Sequence, residues 1–118
     1  MKTLCSNGNT VERFYERTSR SSVTRTLDPQ GNQIGLAEYD GNKDSAAFSL
    51  RRLIADNGGK AKSEVVVYRA SSGDVVKVKL FNVTKVGKVW HGKQLIRGEY
   101  VSRKIHETEA LALGEVEL

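Results

Sequence analysis

Turn-forming clusters interrupt this chain so often that little beyond short strands fits between them. They are "TSRSS" at 18–22, "DPQGN" at 28–32, "DGNKD" at 40–44, "DNGGK" at 56–60, "SSGD" at 71–74 and "VGKVWHGK" at 86–93. The intervening segments alternate apolar with polar residues or are rich in β-branched side chains, the pattern of an antiparallel meander. The spacing predicts strands over 11–17, 23–27, 34–39, 64–70, 75–86 and 95–105, with 86–93 as a loop. Pro29, the sole proline, falls in a turn, where its fixed φ is useful. The expected class is mainly β / α+β: an N-terminal β-hairpin followed by a broad antiparallel sheet and a short C-terminal segment.

Two segments read both ways. "SAAFSLRRLIADNGG" sets Ala46, Ala47, Leu50, Leu53 and Ile54 at helical spacing, with Asp44 as a candidate N-cap and Gly58 as a candidate stop. The same segment sets Phe48, Leu50 and Ile54 at strand spacing, broken by Arg52. The closing "HETEALALGEVEL" offers either a short helix over 107–113 or a strand alternating from Leu111 to Leu118.

A length of 118 residues suits one domain: an N-terminal segment over 1–10, the hairpin and sheet over 11–106, and an acidic tail over 107–118. The 38% hydrophobic and 28% charged residues exclude the disordered and membrane classes. No apolar run approaches the length of a membrane span, and "CSNGNT" replaces the apolar core that a signal peptide would carry. The expectation is a soluble protein made in a cytosol. Cys5 is the single cysteine, so it forms no intrachain disulfide and reads as a small buried thiol.

The net charge of +5 is unevenly spread. Residues 1–59 carry 8 basic and 7 acidic side chains, residues 60–104 carry 11 and 3, and residues 105–118 carry none and 4. A field of one sign over half of a small domain points to a polyanionic partner such as RNA or DNA.

Catalytic patterns are absent. His91 and His106 have no neighbours at metal-ligand spacing and read as surface or turn residues. Asp28, Asp40 and Asp44 fall in turns, where aspartate bonds to backbone. "NGGKAKS" lacks the spaced glycines and Lys-Ser/Thr end of a phosphate-binding loop. The sequon at Asn82 has meaning only in a secreted chain. No acid–base pair is visible, so no enzyme is predicted, and no cofactor or metal.

The strands are more informative. Within 75–85 the odd positions read Val75, Lys77, Lys79, Phe81, Val83, Lys85, and the even ones Val76, Val78, Leu80, Asn82, Thr84. Alternation lets the even set pack while Lys77, Lys79 and Lys85 stand together on the other face. Within 95–105, Ile96, Gly98, Tyr100, Ser102 and Lys104 share one face, and Arg97, Glu99, Val101, Arg103 and Ile105 the other. Lysines beside an exposed tyrosine on a sheet suit single-stranded or looped RNA, with ammonium groups meeting phosphates and the ring offering a stacking surface. The same lysines also serve to keep an open sheet face soluble.

The order "VTRTLDPQGNQIGLAEY", "DGNKDSAAFSLRRL", "SEVVVYRA", "VVKVKLFNV", "IRGEYVSRKI" resembles the coat proteins of single-stranded RNA bacteriophages over roughly residues 10–106. Their strand after the long loop often carries Arg-x-x-Tyr, matched here by Arg97 and Tyr100. The resemblance implies that "AAFSLRRLI" is a sheet strand. It also implies a homodimer whose sheets join, assembly into an icosahedral shell in a bacterial host cytoplasm, and a virion location. RNA, whether genomic, stem-loop or non-specific, would meet the inner sheet face at Lys77, Lys79, Tyr100 and Ser102, with Arg69 and Lys104 as companions. Relatives usually continue into two C-terminal helices that interlock the dimer, a task implied here for the tail 107–118. The alternative is a small phage- or plasmid-encoded nucleic-acid-binding or host-targeting protein that does not assemble.

Overall fold

The computed structural model describes residues 1–108 and 110–113. Among them the chain is mainly β with one helix, the class its turn spacing predicts. It divides into two compact units, Met1–Ala61 and Lys62–Leu118.

The first unit holds strands β1 (Lys2–Leu4), β2 (Thr10–Glu16), β3 (Ser21–Leu27) and β4 (Gln33–Asp40), then helix α1 (Lys43–Asp56). The strands pair antiparallel in sequence order. The β3–β4 turn is closed by Asp28, whose Oδ1 accepts from the backbone N–H groups of Gln30 and Asn32 at 3.0 and 2.9 Å. Val11, Val23, Leu27, Leu4, Cys5 and Ala46 are buried. Burial pushes the Cys5 thiol above its ordinary value, against the lowering effect of a backbone hydrogen bond with Val11.

The coat-protein resemblance is corrected at 46–54, which is helical and not a sheet strand. As a strand the segment would place Arg52 on the same side as Phe48, Leu50 and Ile54. As a helix it buries the small residues Ala46 and Ser49 and leaves Arg52 to pair with Glu38 of β4 and with Asp56 one turn on. The N-cap is Asn42, not Asp44: its side chain accepts from the Ser45 N–H at 2.9 Å. Asp44 instead lies in the first turn, where a carboxylate favours the helix dipole. Asn57 caps the C-terminus, and Gly58 follows at φ 88, a conformation that ends the helix as expected.

The second unit holds β5 (Ser63–Arg69), β6 (Val75–Val86), β7 (Val89–Ile96), β8 (Glu99–His106) and β9 (Ala110–Leu113), in the order β8-β7-β6-β5-β9, with every neighbouring pair antiparallel. Val66, Val78, Leu80 and Ile105 form its buried cluster, with Tyr68, Val83 and Trp90 packed against them. Two expectations change here. The segment 86–93 is mostly strand β7, entered through a two-residue turn in which Gly87 takes φ 61. The single strand expected over 95–105 is a hairpin. Arg97 and Gly98 both take positive φ, 51 and 78, as the two central positions of a tight hairpin turn require. Arg97 and Tyr100 therefore do not share a strand. Of the two tail readings, a helix over 107–113 is excluded by β9, which pairs with β5; residues 114–118 lie outside the described residues.

Candidate nucleic-acid interface

A bulge in β6 decides which side chains share a face. Phe81 pairs with Lys93 and Thr84 with His91, so Asn82 and Val83 together oppose Gly92. Asn82 absorbs the extra residue at φ 53. Beyond it the alternation of β6 is inverted. Lys85 pairs with Trp90, which pairs with Ile105 of the buried cluster. Lys85 thus stands on the core side, with Nζ 5.3 Å from the Trp90 ring centroid and 3.1 Å from Glu107 Oε2. The expected row of three lysines is corrected to Lys77 and Lys79 alone.

The opposite face gathers all six residues expected to meet RNA. Register places Arg69 beside Val75, Lys77 beside Val67, and Lys79 beside Val65. The same face continues through Phe81 and Lys93 to Ser102, with Tyr100 and Lys104 on either side of Ser102 along β8. Arg69, Lys77, Lys79, Ser102 and Lys104 are exposed, whereas Tyr100 is half-buried and not exposed as expected. Its ring meets Phe81 edge to face, centroids 5.5 Å apart. Ile96 and Gly98 do not share this face with Tyr100 as expected, nor does Arg97 continue the face of Glu99, because Ile96 pairs with Glu99 and the two residues between them form the turn.

Sequence reading missed Lys93 on this face and gave no role to Phe81, which its alternation had placed there. Lys93 Nζ donates to Ser102 Oγ at 2.7 Å, and Phe81 lies under Lys79, whose Nζ is 5.5 Å from its centroid. The alternation His91, Lys93, Leu95 was the available signal for Lys93, hidden by the glycines that made 86–93 look like a loop. His91 and His106 lie in strands on this face, not in turns. Thr108 donates its backbone N–H to His106 Nδ1.

Electrostatically the two faces differ. Glu64 and Glu99, the acidic residues of β5 through β8, both stand on the core side: Glu64 pairs with Leu80, and Glu99 alternates with Val101, Arg103 and Ile105. The other face carries Arg69, Lys77, Lys79, Lys93 and Lys104 with no strand carboxylate among them. Ladder pairing between β6 and β7 stops at Phe81 and Lys93, and a groove of about 360 Å³ opens next to that point, lined by Lys77, Val78, Lys79, Phe81, Gln94 and Leu95. Among the described residues no group of three His, Cys, Asp or Glu side chains could hold a metal ion, and no helix is long and apolar enough to cross a membrane. No protein-family model, no curated protein and no solved structure matches this chain.

Proposed function

We propose that the chain is a structural, RNA-binding coat subunit that dimerises, assembles into a shell and packages single-stranded RNA against the basic face of β5 to β8. The supporting observation is the convergence of five cations and two aromatic rings on one sheet face that carries no strand carboxylate. Such a face repels itself and is stabilised by a polyanion. Strand β8 supplies a joining edge: it is outermost, eight residues long and free of proline. Antiparallel pairing of two copies about Val101 would set Glu99 against Arg103 of the second copy, a favourable cross-strand pair.

A nucleic-acid-binding protein that does not assemble is the second reading, favoured by the helix at 46–54 where the coat resemblance requires a strand. Electron microscopy and light scattering of the expressed protein separate the two. The coat reading expects large particles containing nuclease-protected RNA. A species near 13 kDa that binds RNA only when RNA is added would leave the second reading, and one that binds none would remove both.

A further inference from the structure

The cations of the basic face do not form a patch; the strand register sets them in a line. Arg69 lies on β5 opposite Val75. Lys77 lies one strand over and two residues further along, and Lys79 two residues beyond it. Lys93 lies on the next strand opposite Phe81, again two residues along from Lys79, and Lys104 lies on β8 two residues beyond Ser102, the partner of Lys93. With strands about 4.8 Å apart and a rise of about 3.3 Å per residue, each step along this diagonal is about 7 to 8 Å and the whole row about 30 Å.

We infer that this diagonal is a track for one unpaired polynucleotide strand of about five phosphates, running between Arg69 and Lys104. This rests on the nucleic-acid-binding reading above and specifies the form of its ligand. Each step is on the order of one backbone repeat of an extended strand, so consecutive cations meet consecutive phosphates. A duplex would present its phosphates to a sheet in two separated rows instead of one continuous line. The aromatic pair points the same way. Phe81 and Tyr100 lie astride the middle of the row, beside Lys79 and Lys93, and ring faces there can stack only with bases that are not paired. Neighbouring cations at these spacings repel one another within a Debye length, a cost that a bound strand removes.

The test uses the full chain stripped of nucleic acid, fluorescein-labelled oligouridylates of about 2 to 10 nucleotides, and an RNA duplex of matching length. Anisotropy titrations should show affinity climbing steeply to about five nucleotides and slowly thereafter, with a slope of log K against log salt of about −3.5 for the longer strands. Arg69→Ser and Lys104→Ser, at the two ends, should each reduce that slope by about 0.7 and shift the length plateau down by about one nucleotide. Lys85→Ser, on the other face, should change neither. A duplex bound as tightly as the single strand, or end variants with unchanged plateau and slope, overturns the track while leaving nucleic-acid binding intact. Failure of every nucleic acid to bind overturns the functional reading itself.

Discussion

Asn57 is the side chain whose loss should most damage the first unit. It is 8% exposed, and its amide ends the helix and ties three segments together. Nδ2 donates to the Leu53 carbonyl at 2.8 Å and reaches Thr26 Oγ1 at 3.5 Å. Oδ1 accepts from Asn7 Nδ2 at 2.9 Å and from Asn9 Nδ2 at 3.0 Å. Three of these four bonds have ordinary lengths, and each contributes about 0.5–1.5 kcal/mol net. Asn7 and Asn9 lie outside the buried core and recover water when Oδ1 is removed, whereas the Leu53 carbonyl and the Thr26 hydroxyl recover less. Asn57→Ala should therefore cost about 2–3 kcal/mol, read as a lower urea midpoint at unchanged slope. Asn57→Asp keeps both acceptor bonds but sets a carboxylate oxygen against the Leu53 carbonyl at the negative end of the helix, so it should cost at least as much as Asn57→Ala. Pairing Asn57→Ala with Asn7→Ala in a double-mutant cycle should return a coupling of about 0.5–1.5 kcal/mol. A loss below about 0.5 kcal/mol for Asn57→Ala would refute the hub and reduce Asn57 to a replaceable helix end.

The double variant Lys77→Ser/Lys79→Ser should reduce the salt slope of RNA binding by about 1.4, since single-strand contacts contribute about 0.7 each; an unchanged slope would mean that these side chains only solubilise the sheet. Gly92→Ala would set a Cβ 3.0 Å from Leu80 Cβ and 3.3 Å from the Phe81 carbonyl oxygen, opposite the bulge. It should destabilise the protein by about 1–3 kcal/mol in urea melts. Deleting 107–118 removes the Lys85–Glu107 ion pair and strips β9 from β5, leaving the edge at Val66 and Val67 unpaired. Light scattering should then show aggregation and reduced particle yield, while RNA affinity measured on the soluble fraction stays similar or rises.

The alternation of apolar and polar residues was enough to place β2 through β6 to within a residue or two, because side-chain period and turn chemistry are local properties of the chain. The same alternation, guided by the coat-protein resemblance, put Lys77, Lys79, Tyr100, Ser102, Arg69 and Lys104 on what proved to be one face. Other features depended on residues distant in sequence. Helix and strand were nearly balanced at 46–54, and the outcome rests on Ala46 and Ser49 being small enough to bury and on Glu38 meeting Arg52 from another strand. Arg97 gave no sign of a positive φ, so the hairpin that separates β7 from β8 looked like one long strand. Lys85 belonged by parity with Lys77 and Lys79 until the extra residue opposite Gly92 turned it to the other face. A bulge changes no composition and leaves no periodic mark; it exists only as a mismatch of register between two strands, and so only the folded sheet could decide which lysines stand together.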